Sequence, residues 1–217
     1  MFSKKFAFQA LAVAALAVSA SASHAAFTLV TNSLSAFNAA TFAPGTDTFT
    51  GFNITGSTPS PITRSAGAYG YTAAASTSSF FGAGTTANPW LSTNNALDSV
   101  LFNTFTGGGA SGIKGIGGNF FGSDITGSFS SGNITLVAVD SLGATSTQII
   151  TAATVGSFLG FVTNGVITSL TLSAVQGVNP LWPTADNLVL AIPEPGTYAL
   201  MFAGLAAVGA MVRRRKA

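Results

Sequence analysis

The chain has 217 residues, enough for one domain of ordinary size once its two apolar ends are set aside. Charged residues make up only 6% and the mean hydropathy is +0.52, so Ser, Thr, Asn and Gly supply most of the polarity of the middle. Cysteine is absent, which excludes disulfides, thiolate metal sites, cysteine nucleophiles and a lipid-bearing cysteine.

The formal charge of +2 hides an asymmetry. Lys4, Lys5, Arg213, Arg214, Arg215 and Lys216 all lie at the ends. From Ala26 to Ile192 only Arg64 and Lys114 stand against Asp47, Asp98, Asp124, Asp140 and Asp186, a net −3. A domain with that balance has no basic footprint for nucleic acid.

Residues 1–25 read as a secretory signal peptide. Lys4-Lys5 is the positive start, Phe6–Val18 the apolar stretch, and Ser19–Ala25 a run rich in small residues that places cleavage between Ala25 and Ala26. Cleavage there also removes His24, the only histidine. The region from 26 to 191 is then the exported domain.

After Phe27-Thr28-Leu29-Val30, Asn32 or Ser33 caps a short helix running to about Thr41, with Leu34 and Phe37 on one face, and Pro44-Gly45 ends it. A series of short strands follows: Thr46–Phe52, Ala68–Ala73, Leu97–Phe105, Ile113–Phe121, Asn133–Asp140, Thr145–Ala152, Ser157–Val162, Val166–Val175 and Asn187–Ile192. Alternation is clearest where Ile134, Leu136 and Ala138 share a face, and where Leu170 and Leu172 alternate with Ser169, Thr171 and Ser173. Asn164-Gly165 carries the strongest hairpin signal. Strands at this spacing predict an all-β chain, an antiparallel β-sandwich of jelly-roll-like type with a short N-terminal helix. The 14 Phe from Phe27 to Phe161 supply the apolar area such a core needs.

Catalysis finds little to work with. From Ala26 to Ile192 there is no His, Cys or Glu, so Ser-His-Asp chemistry and His-bound metal hydrolysis are excluded by inventory, and the reading is a protein that is not an enzyme. The aspartates sit singly near turns, where the side chain usually bonds its own backbone. Calcium is less demanding, since it takes oxygen donors, and its candidate site is Asp186 and Asn187 with Asp98 or Asp47. Carbohydrate binding needs aromatic faces with polar rims, and Tyr69, Tyr71, Trp90 and Trp182 form the candidate platform. Trp90 and Trp182 stand in Pro-flanked, loop-like settings, and Tyr69 and Tyr71 share a strand face. Ice binding needs a repeated Thr array, and Thr46, Thr48 and Thr50 give only one short row.

The tail, residues 192–217, has three parts. Pro193 and Pro195 fix their own φ near −65° and push Ile192 and Glu194 towards extended backbone, which makes a stiff, unpaired strip. Thr197–Val212 is uncharged and apolar; at about 1.5 Å per residue its 16 positions give roughly 24 Å of helix, short for a bilayer core of roughly 30 Å. Arg213, Arg214, Arg215 and Lys216 then act as a stop-transfer cluster, because cations beside an apolar segment stay cytoplasmic. The segment is therefore read as a transmembrane helix, with both ends of the chain placing positive charge on the same side.

Pro193-Glu194-Pro195, a short apolar segment and a run of arginines together resemble the PEP-CTERM sorting signal of Gram-negative bacteria. The same region is similar to the segment named the C-terminal domain of ice-binding proteins. The resemblance covers about residues 192–217. It implies recognition by an exosortase-like membrane protease, an inner-membrane-anchored intermediate, and delivery to the cell surface or extracellular matrix in company with exopolysaccharide. It implies no shared catalysis. More loosely, Leu34 to Ala40, Gly118 to Gly122, Phe158 to Phe161, Ile167 to Leu170 and Ala185 to Leu188 resemble the β-sandwich domains that precede such tails.

Overall fold

The computed structural model describes residues 26–193. Residues 1–25, expected to be a signal peptide, lie outside the described residues, as do Glu194, Pro195, the apolar segment 197–212 and the basic cluster 213–216. In chain order the strands are β1 (Phe27–Thr31), β2 (Thr41–Asp47), β3 (Ser57–Thr58), β4 (Ile62–Ala66), β5 (Tyr69–Ala75), β6 (Phe80–Phe81), β7 (Ala83–Gly84) and β8 (Pro89–Ser92). They continue with β9 (Val100–Thr106), β10 (Gly115–Ser123), β11 (Phe129–Ser130), β12 (Gly132–Asp140), β13 (Thr145–Ala153), β14 (Phe158–Thr163), β15 (Ile167–Ala174) and β16 (Trp182–Pro193). One α-helix, α1 (Leu34–Ala39), lies between β1 and β2. Among the described residues no helix is long and apolar enough to cross a membrane.

Every pairing is antiparallel. The first sheet runs β1-β14-β10-β16-β8-β7, with β11 beside β10 and β2 beside β16; the second runs β13-β12-β15-β9-β5-β4. They face each other over one core. Phe120, Phe161, Leu188 and Leu190 enter it from the first sheet, and Phe102, Leu136, Leu170 and Leu172 from the second, all fully buried. Alternation explains which residues enter: Ile134, Leu136 and Ala138 point inward while Thr135, Val137 and Val139 stay half-exposed on the outer face. What the sequence predicts as a jelly-roll-like sandwich is, in its strand order, two main antiparallel sheets over a common core, with β3 and β6 paired apart as a two-stranded sheet.

Helix α1 covers part of the first sheet's outer face. Of the two caps the sequence offers, Asn32 and Ser33, it is Ser33 that caps it, its Oγ accepting from the Ala36 N–H at 3.2 Å. Phe37 is its anchor, packed with Phe158, Val162, Val189 and Ala191. Glycines make the seat. A Cβ at Gly160 would come within 2.6 Å of Phe37 Cδ2, and one at Gly115 within 3.0 Å of Phe37 Cζ.

Several expectations are corrected. Helix α1 ends at Ala39, and Pro44-Gly45 lies inside β2 rather than stopping the helix. Strand Thr46–Phe52 shortens to its first two residues. Asp47 ends β2, and Phe49 (φ 53°) and Gly51 (φ 78°) turn the chain away. Asn164-Gly165 closes no hairpin: β14 belongs to the first sheet and β15 to the second, so this turn crosses between sheets. Neither residue takes the left-handed conformation that a type I′ hairpin turn requires. The last strand begins at Trp182, five residues earlier than expected, and holds Ile192 and Pro193 as well.

Candidate functional site

Strand β16 sits between β10 and, on its other side, β8 and β2, and its two ends define two poles of the molecule. At one pole it leaves at Pro193, which pairs with Thr41, while Ile192 pairs with Phe42. The strip expected to be unpaired is therefore held in the sheet up to Pro193. The Thr41 hydroxyl donates to the Phe37 carbonyl at 2.9 Å, tying this exit to α1. Lys114 belongs to the same pole: its N–H donates to Ala191 O and its Nζ to Asn164 O at 2.7 Å.

At the opposite pole β16 starts at Trp182, opposite Ser123 of β10. The half-buried indole of Trp182 borders two depressions. The first is closed by Ser92 and Thr93 at the end of β8 and by Asp124 and Ile125 after β10. The second is closed by Asn95, Leu97, Gln176 and Pro180, and Asn94 lines both. Two residues along β16, Thr184 Oγ1 lies 2.8 Å from Ser123 Oγ and 3.2 Å from Ser92 Oγ, a buried hydroxyl cluster. Gln176 fastens the approach to β16: its Nε2 donates to Ala96 O and Leu181 O, both at 2.8 Å, and its Oε1 accepts from the Leu181 N–H. Leu97 and Ile125 are each 79% exposed at the rims.

Two carboxylates hold this pole together. Asp124 Oδ1 accepts from Thr126 Oγ1 at 2.7 Å, Thr126 N at 2.8 Å and Ser128 N at 3.0 Å. The Thr126 hydroxyl outweighs the cost of burial and, with the Ser128 and Thr126 N–H donors adding to it, holds the carboxyl below the usual range. Asp98 accepts from the hydroxyls of Ser76, Thr77 and Ser78 and from the Ser78 N–H. Burial works against its ionisation, but those donors outweigh it and its pKa is lowered. Both stay ionised at neutral pH.

The four-ring platform is not one surface. Tyr69 and Tyr71 are buried, Tyr69 donating to Ala43 O at 2.7 Å and Tyr71 to Asp47 Oδ2 at 2.6 Å. Trp90 lies in strand β8 rather than in a loop, its ring edge-on to Phe121 with centroids 4.9 Å apart, and its buried Nε1 has no protein acceptor among the described residues. Trp182 alone borders an open cleft. The calcium set does not assemble with Asp98, and with Asp47 it brings only the two carboxylates Asp47 and Asp186 within each other's field. Asp186 accepts from Asn187 N at 2.8 Å and Asn187 Nδ2 at 3.1 Å, whereas Asp98 belongs to the Ser76–Ser78 cage at the Trp182 pole. The charge that Asp186 feels is that of Asp47. Among the described residues no three acidic or histidine side chains converge as metal ligands.

Sequence reasoning missed Asn94 and Gln176, which carry no motif and matter only because the β8–β9 link and the approach to β16 meet beside Trp182. Residues 191–216 match the family model of the PEP-CTERM protein-sorting motif. The match starts inside β16, so Ala191, Ile192 and Pro193 serve both the sheet and the motif. No curated protein and no solved structure matches the chain.

Proposed function

The chain carries a PEP-CTERM sorting motif, the mark of an exported protein handled by the membrane enzyme exosortase, and from that premise we propose a non-enzymatic protein of the Gram-negative cell surface or extracellular matrix. It is held by its C-terminal segment in the inner membrane until processed, and then has a structural or adhesive role beside exopolysaccharide. The motif match at residues 191–216 is the observation that carries this reading. The domain's chemistry supports it. All five aspartates from Ala26 to Ile192 are committed to local bonds: Asp47 to Arg64 and Tyr71, Asp98 and Asp124 to neighbouring hydroxyls and amides, Asp140 to Leu142, Ala144 and Thr163, and Asp186 to Asn187. An acid–base pair needs carboxylates free to face a substrate.

A carbohydrate-binding module of the envelope is the second reading, favoured by the position of Trp182 between two polar-rimmed depressions. An uncleaved, inner-membrane-anchored periplasmic protein is the third. Mass spectrometry of both termini, in a host with exosortase and in the same host lacking it, separates the third reading from the first. The first reading expects an N-terminus at Ala26 and loss of the apolar segment only when exosortase is present. Retention of Lys216 in both hosts would leave the anchored protein.

A further inference from the structure

We propose that the Trp182 pole is a binding subsite for an uncharged polysaccharide, with the indole stacking on a sugar face and the Asn94 side chain hydrogen-bonding its hydroxyls. This rests on the adhesive reading and gives it a ligand class. Trp182 and Asn94 are the two residues common to both depressions, so a chain crossing from one to the other passes over the ring and beside the amide. A ring flanked by amides and hydroxyls matches a ligand with an apolar face and a polar edge, which is the chemistry of a pyranose.

Charge decides between neutral and acidic glycans. Asp124 lines the first depression and Asp98 braces the loop beneath the second. Of the two cations between Ala26 and Pro193, Arg64 is bound to Asp47 and Lys114 sits at the Pro193 pole. An acidic polymer would therefore meet only like charge here, while a neutral one meets no penalty. Gln176 touches no ligand in this arrangement. It is a positioning residue, holding Leu181 and through it the start of β16.

The test uses the full chain purified in detergent and run through native gels containing dextran, galactomannan, xyloglucan or mixed-linkage glucan, with alginate and polygalacturonate as acidic counterparts. At least one neutral polymer is expected to retard the protein, and the acidic ones are not. Trp182→Ala should weaken that retardation at least tenfold and Asn94→Ala several-fold, with unchanged circular dichroism. Trp90→Phe leaves Trp182 as the one tryptophan, and its emission should then shift saturably with the neutral polymer. Equal retardation by acidic polymers, no retardation by any neutral one, or a folded Trp182→Ala protein that binds as before would each overturn the subsite. So would an emission shift that tracks protein concentration alone, which would make this pole a contact between copies. None of these results depends on export or cleavage, so the sorting assignment stands or falls separately.

Discussion

Tyr71 donates its phenolic proton to Asp47 Oδ2, and Arg64 grips the same carboxylate through Nε at 2.7 Å and Nη2 at 2.8 Å. The guanidinium also lies 5.2 Å from the centre of the Phe49 ring. Burial, and next the Asp47 charge, push the Tyr71 pKa well above its ordinary value near 10. The folded protein therefore keeps this proton at pH values where the unfolded chain releases it, so stability is full below pH 10 and falls as pH rises further. Urea midpoints compared at pH 8 and pH 11 should show a smaller alkaline loss for Tyr71→Phe than for the unmodified protein; equal losses would refute the account. Asp186 has the same sign, again with burial as the leading cause. Burial raises its pKa although the Asn187 N–H opposes it, so ionisation weakens the fold as pH rises from about 4. Asp186→Asn should be more stable than the parent at pH 7 and indistinguishable from it at pH 3, read by thermal melts at both. That Tyr69 and Tyr71 share a face was legible in their spacing; which side that face is on was not. It is settled by Asp47 and the Ala43 carbonyl, both distant in sequence.

Strands β10 and β14 lie within two residues of their expected bounds although both are buried on both faces, and the clearest signal is alternation that nothing interrupts. Strands β12 and β15 match their expected bounds within a residue because Ile134-Leu136-Ala138 and Leu170-Leu172 repeat with period two. Strand β16 was half missed. Pro183 read as a loop marker although it pairs with Gly122, and Asn187, at φ 51°, adds a bulge that breaks the alternation between Asp186 and Leu188. Strand β8 was read as a loop for the same reason, a proline beside Trp90. The glycines under α1 carry no pattern at all, since their purpose is the volume of Phe37. That seat gives a prediction. Phe37 is fully buried and joins helix to sheet, so Phe37→Ala should cost about 3–5 kcal/mol of unfolding free energy. Protection of the α1 and β2 amides from hydrogen exchange should fall more than that of β12. A loss below about 1 kcal/mol would mean that the helix is only laid against the sheet and does not hold it.

The C-terminal exit and Trp182 stand at opposite ends of β16. Twelve residues at roughly 3.3 Å per step put Trp182 about 36 Å from Pro193 along β16. Only four steps separate Pro193 from Thr197, a reach of at most about 14 Å to the start of the apolar segment. A domain anchored through that segment keeps Lys114 and Phe42 near the membrane and turns Trp182 away from it. The same continuity constrains processing. The sorting motif overlaps the sheet at Ala191, Ile192 and Pro193, and these residues pair with Gly115, Phe42 and Thr41. Ile192 also packs against the main core. Cleavage before Ile192 would remove the end of the strand that β10 and β2 both pair with, whereas cleavage after Pro193 costs the fold nothing described. The C-terminal peptide of mature protein recovered with exosortase present should therefore end at Pro193 or beyond it. Mass spectrometry that found a mature chain ending at or before Ala191, still folded by circular dichroism, would show that β16 can be trimmed. It would also show that sheet and motif are separable.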